Sequence, residues 1–184
     1  GKPLVVTKAR DDIIEELGGK PALAQFQVIW QELSPRDRQL VQQGLHVGRV
    51  ISEYQPSFQR GDFLVRNVRG IEKDTGAMAI TDVVRVGQTI QFHVRDAASA
   101  DEDLRLLLEQ DGRAHSARPK GALLFTCNGR GTRLFAAPHH DAGVIQKAVG
   151  PLPLAGFFAQ GELGPIGGQN FIHGFTASVA LFEE

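Results

Sequence analysis

The stretch Gly121 to Thr132, G-A-L-L-F-T-C-N-G-R-G-T, constrains this chain more than any other. An apolar run, Ala122 to Phe125, leads to the single cysteine, Cys127, and Gly129 and Gly131 then turn the chain around Arg130. An apolar run without strict alternation predicts a strand covered on both faces. Asn128, Gly129 and Gly131 tolerate the positive φ angles of tight turns. Such a turn aims backbone N–H groups at one point, and with the Arg130 guanidinium beside them it reads as an anion site. Nucleotide loops are excluded: G-R-G-T-R-L lacks the third glycine of a dinucleotide fingerprint, no Gly-Lys-Ser/Thr ending is present, and Arg133 to His140 gives no helix start. Cys127 itself reads either as a small buried hydrophobe or as a reactive, ligand-facing thiol.

The chain has 184 residues, enough for one domain with a substantial core. A net charge of -1 removes the electrostatic argument for nucleic acid or an anionic membrane, and no basic stripe with interleaved aromatics appears. One cysteine cannot form an internal disulfide, so cytoplasm is the expected compartment. No apolar run reaches the length of a membrane span, so membrane insertion is not expected. Nothing in the sequence calls for a cofactor. The chain opens on Gly1, already followed by the strand-like K-P-L-V-V-T-K, which reads as a fragment whose partner domain lies N-terminal. Nearly half of the 21 glycines fall in the last third of the chain, and function is expected there.

Taken in order, Leu4 to Thr7 is a short strand. Asp11 and Asp12 stand before Ile13 to Leu17 as helix caps would, predicting a short helix closed by Gly18-Gly19, with a strand as the weaker option. Pro21 opens a second helix with Leu23, Phe26, Ile29, Trp30 and Leu33 as its stripe, and Ser34-Pro35 caps another over Arg36 to Gln43, closed by Gly44. Strands follow at Leu45 to Ile51, Asp62 to Val68, Ala77 to Thr81 and Thr89 to Arg95. Alternation in the last of these puts Ile90 and Phe92 on one face and His93 on the solvent face. Ser99 reads as an N-cap, and Asp101, Glu102 and Asp103 as the acidic first turn of a helix buried through Leu104, Leu107 and Leu108, which explains the trio without a metal. Adjacent His139 and His140 diverge on most backbones, which argues against a zinc pair, and Asp141 reads as the N-cap of a helix over Ala142 to Val149. Phe171 to Phe182 closes the chain as one strand, with His173 on its apolar face as a satisfied core histidine.

Three motifs then carry a resemblance. C-N-G-R-G at 127 to 131, P-L-A-G-F-F-A-Q-G-E-L-G-P at 153 to 165 and F-I-H-G-F-T-A-S at 171 to 178 together resemble the C-terminal domain of the FIST family (F-box and intracellular signal transduction). The family is found in bacterial sensory proteins and, with an F-box, in some eukaryotic ones. The whole of 1–184 reads as this domain, most specifically over 121–182. The resemblance implies a small-ligand sensor, with amino acids among the ligands proposed for the family. The implied partners are a signalling protein and an N-terminal FIST domain absent from this sequence. The family's motif positions fall on Cys127, Gly129, Arg130, Gly131, Gly156, Gly161, Glu162 and His173.

With Asn128, those positions make up the expected ligand site. An amino acid is a zwitterion: Arg130 and the turn amides would take its carboxylate and Glu162 its ammonium, if the two turns share one end of adjacent strands. The alternative is that Arg130 and Glu162 pair directly and tie two glycine-rich turns together. Two other readings stand beside the sensor: a Cys127 enzyme with His173 or His139 as base, and a pure protein-interaction module. No catalytic residue and no metal ligand is assigned. The expected architecture is α+β, a mixed, largely antiparallel sheet with three or four packed helices.

Overall fold

The computed structural model describes residues 2–115 and 117–183. The chain divides into two compact units, Gly1–Arg95 with Ile166–Gly168, and Asp96–Pro165 with Gln169–Glu184. Both combine helices with sheet, and among the described residues there are four α-helices, so the α+β expectation holds.

The first unit is built on strands β1 (Leu4–Arg10), β2 (Ile13–Leu17), β3 (Lys20–Pro21), β4 (His46–Val50), β5 (Phe63–Ile71), β6 (Met78–Ile80) and β7 (Thr89–His93). Their order is β1-β7-β4-β5-β6-β2-β3, every pairing is antiparallel, and a further β1–β2 pairing closes the ring into a barrel. Val6, Ile14, Leu17, Val47, Met78 and Ile90 fill it. Helices α1 (Ala22–Glu32) and α2 (Pro35–Gln43) link β3 to β4. Phe26 and Ile29 of α1 pack onto the core as its stripe predicts, and the Ser34 side chain caps α2 by accepting from the Asp37 amide at 3.1 Å.

Two expectations fail here. Ile13 to Leu17 is a strand, because Asp11 adopts a left-handed φ of 52° and turns the chain into a hairpin with β1. A register irregularity in that pairing lets Ile14 and Leu17, three residues apart, both face inward, and i, i+3 spacing imitates a helix. His93 is not a solvent-facing residue: its ring packs edge-on against Phe63 at 4.9 Å, directly over Gly48, and its Nε2 is buried. The face opposite the barrel core is covered too, so alternation along β7 does not separate core from water.

The second unit contains α3 (Ala97–Ala114), β8 (Gly121–Cys127), a single 3-10 turn (Gly131–Arg133), α4 (His140–Val149), β9 (Leu154–Ala159), β10 (Glu162–Ile166), β11 (Gln169–His173) and β12 (Ala177–Phe182). A three-stranded sheet runs β12-β8-β9, antiparallel on the first pairing and parallel on the second, with α4 as the crossover between the parallel strands. Leu124 of β8 packs with Leu104 and Leu108 of α3 and with Val144 and Ile145 of α4. On β8 the helix-facing residues Ala122, Leu124 and Thr126 are buried while Leu123 and Phe125 are only half-buried, so the covering of the two faces is unequal. The cap of α3 is Asp96, which accepts from the Ser99 amide at 3.2 Å, where Ser99 itself was expected to cap. Phe171 to Phe182 is two strands, broken where Phe175 takes a φ of 64°.

Candidate functional site

β8 delivers Thr126 and Cys127 to the end of the sheet, and the turn beyond is closed by its own backbone. The Asn128 amide donates to the Ala159 carbonyl (2.8 Å), the Arg130 amide to the Cys127 carbonyl (2.9 Å), and the Gly129 amide to Cys127 Sγ (3.4 Å). These N–H groups therefore do not converge on a ligand position as the sequence suggested. Gly129 is needed for packing: a Cβ there would fall 2.3 Å from the Phe175 ring. Gly131 sits at a left-handed φ of 61°, and Gly156 lies so close to β8 that a Cβ would come within 1.8 Å of the Leu124 carbonyl oxygen.

Arg130 is 6% exposed and Asp141 5%, and the two form a two-pronged pair, Nε to Oδ2 and Nη2 to Oδ1, both 2.8 Å. Asp141 is thus the second residue of α4 and the counter-ion of the turn, not its N-cap. Thr126 Oγ1 adds a bond to Asp141 Oδ2 at 2.9 Å. His140 bridges two carboxylates, Nδ1 to Asp141 at 3.0 Å and Nε2 to Asp101 of α3 at 2.9 Å, and lies flat on the Phe135 ring at 3.5 Å. Burial pushes the Asp141 carboxyl up, but the Arg130 guanidinium, with His140 and Thr126, overcomes it and holds it below the ordinary carboxylate value. Asp101 is lowered as well, first by its bond to Arg105 and further by His140.

Glu162 is 2% exposed, and its Oε2 accepts from the Thr176 amide (3.2 Å) and hydroxyl (3.0 Å). It makes no direct pair with Arg130 among the described contacts. His173 Nε2–H donates to the Gly164 carbonyl at 2.8 Å, as a satisfied structural histidine does. The thiol of Cys127 is buried and its described partner is the Gly129 amide, so neither His173 nor His139 is drawn to it as a base. Among the described residues no three His, Cys, Asp or Glu side chains gather as a metal site would require.

A cavity of about 300 Å³ opens beside this network, above the β8–β9 pair and against the start of α4. Thr126, His139, His140 and Asp141 give it a polar end, and Leu124, Leu154, Phe157 and Phe158 an apolar wall. Of the nine residues expected from the sequence, Gly131 and Gly156 line this cavity and Arg130 reaches it through Asp141. Cys127, Asn128, Gly129, Gly161, Glu162 and His173 do not line it. Asp101, Thr126, Phe135, His140 and Asp141 were missed. The signal available for them was the run P-H-H-D itself: an acid at the head of a helix is a cap by habit, and only the fold shows a buried arginine above it.

The family model described as FIST C domain matches residues 25–165, well over half of the chain. The chain belongs to the FIST C domain family. This is a family associated with signal transduction. The FIST C domain here is similar to an uncharacterized protein of Mycobacterium bovis, 51% identical over 182 residues covering 99% of this chain and 47% of the relative. A Mycobacterium tuberculosis protein, likewise uncharacterized, is 50% identical over 182 residues, 99% of this chain and 48% of its own. The FIST C chain thus spans about half the length of the curated relatives it matches. No solved structure shows a significant match. Among the described residues no helix is long and apolar enough to cross a membrane.

Proposed function

We propose that this FIST C domain is a small-ligand-binding sensory module that reports occupancy to a signalling partner. The observation that carries the reading is the cavity of about 300 Å³ with one polar and one apolar end, the usual make-up of a ligand pocket. A route for a signal lies beside it: His140, on the cavity wall, is bonded to Asp101, so a ligand that moves the head of α4 also pulls on α3. The half of the relatives that this chain does not match is the first partner to consider, an N-terminal FIST domain in this reading. The cytoplasm is the compartment that suits a lone free cysteine.

Amino acids enter this scheme with one condition. A carboxylate can reach the Arg130 guanidinium only if Asp141 releases it, because Nε and Nη2 are both engaged. The test is a thermal-shift screen of amino acids, small carboxylates and neutral aromatics against the wild-type chain and Phe158→Ala. A ligand at a hundred times its dissociation constant adds about 2.7 kcal/mol of stability. A shift that disappears in the variant supports the sensor. No shift with any class, in this chain and in a full-length relative, overturns it.

A further inference from the structure

The ligand's chemistry is constrained by which polar atoms of the cavity are already spent, and this step rests on reading the cavity as the sensor's ligand site. Each oxygen of Asp141 receives two donors, Oδ1 from Arg130 Nη2 and His140 Nδ1, Oδ2 from Arg130 Nε and Thr126 Oγ1. That fills the acceptor capacity of a carboxylate. Arg130 Nη1 donates to the Phe175 carbonyl at 3.3 Å, so all three of its nitrogens are engaged and its charge is matched by Asp141. The positive end of α4 already has an anion, Asp141, in its own first turn. Because Arg130 and Asp141 neutralise each other, a charged ligand would give up its hydration with no net opposite charge at the buried floor to replace it.

Thr126 is different. It is buried, lines the cavity, and has given its only proton to Asp141, so its oxygen keeps lone pairs and can only accept. It calls for a donor. Apart from the exposed His139, the remaining wall is apolar: Leu154, Phe157 and Phe158 stand beside Gly131 and Gly156, which have no side chains, and the Phe158 ring passes 3.1 Å from the Cβ position of Gly131. A volume of about 300 Å³ is roughly twice that of an apolar cavity that holds benzene. Two fused rings suit it.

We propose that the cavity takes a small uncharged planar aromatic molecule bearing one N–H or O–H donor, with the donor on Thr126 Oγ1 and the ring against Phe158. Indole is the simplest probe. The experiment is calorimetric titration of the chain with indole, 1-methylindole, indole-3-acetate and L-tryptophan, repeated on Thr126→Ser and Phe158→Ala. The expected order puts indole first, with 1-methylindole weaker by about tenfold for the lost hydrogen bond and both charged compounds weaker than indole. Thr126→Ser keeps the hydroxyl and keeps that preference. Phe158→Ala, a change at a half-exposed side chain, weakens indole by about tenfold with the circular dichroism spectrum unchanged. Equal binding of indole and 1-methylindole overturns the proposal, as does tighter binding of either charged compound, or indole binding untouched by Phe158→Ala. Those outcomes leave the sensor standing with another ligand. Absence of binding by every compound overturns the proposal, and the broader screen then decides the sensor separately.

Discussion

Arg130 and Glu162 are joined through one peptide group. The Phe175 carbonyl accepts from Arg130 Nη1 at 3.3 Å, and the Thr176 amide, the other half of the same peptide, donates to Glu162 Oε2 at 3.2 Å. A guanidinium on the oxygen and a carboxylate on the N–H polarise that peptide in one direction, and each bond strengthens the other. The link runs through the backbone, without an ion pair between the two side chains among the described contacts. Holding this peptide also holds Phe175 in its left-handed conformation over Gly129.

Removing one member of the buried Arg130–Asp141 pair strands the other. Arg130→Met or Asp141→Leu alone should cost about 3–5 kcal/mol, while the double variant should cost clearly less than the sum. Urea unfolding of the four proteins, read by circular dichroism, measures the coupling. An additive double variant would mean that the pair contributes nothing as a pair.

Low pH should act on the barrel before it acts on the ion pair. Burial pushes His46 down to about 4, with Arg95 adding to the effect, and burial likewise pushes His93 down to about 4. Both fall below the ordinary imidazole value of 6.5, so the unfolded chain takes up protons first. Their contribution is full above that value and is lost as pH falls from 6.5 toward 4. Asp101 and Asp141, both lowered, give up theirs only further down, as pH drops through their folded values. Denaturation midpoints at several pH values should slope between neutrality and mild acid, and His93→Phe should flatten that slope.

Two left-handed residues should respond in opposite ways to glycine. His139 has a φ of 58° and an exposed side chain, so His139→Gly should stabilise the fold, on the order of 0.5–1 kcal/mol. Phe175, at 64°, packs its ring on Gly129, and Phe175→Gly should destabilise it in spite of the relieved backbone. Paired melting curves decide both signs.

Gly156→Ala should be the most damaging single methyl on β9. With a Cβ only 1.8 Å from the Leu124 carbonyl oxygen, the strand must move away from β8, at a cost of about 3 kcal/mol or more. Amide exchange should quicken along β9 and at the facing residues of β8. Retained protection there would show that the strand pair absorbs the methyl.

Much of the fold was legible because its signals are local. Ser34-Pro35 with Gly44 bounded α2, and the apolar run after Gly121 marked β8. What failed was parity and distance. Ile14 and Leu17 share the barrel interior because of an irregular register, which periodicity reads as a turn of helix. Asp141 was visible as an acid at the head of a helix, but its partner Arg130 stands eleven residues back, beyond a 3-10 turn that carries no signal of its own. The motif glycines were expected at a ligand site. Their reasons are close approaches of Phe175 to Gly129 and of β8 to Gly156, which no single stretch of sequence contains.

The β1–β2 pairing that closes the barrel has a consequence for mis-assembly. A ring of paired strands leaves almost no open backbone for another chain to copy, apart from the two residues of β3. Among the described residues the β12-β8-β9 sheet has no further strand beyond β12 or β9, and its β9 border carries the exposed Phe157 and Phe158. During synthesis or refolding, unwanted strand addition is therefore concentrated in the C-terminal half of the chain, and a charged residue on β9 is the change that would discourage it.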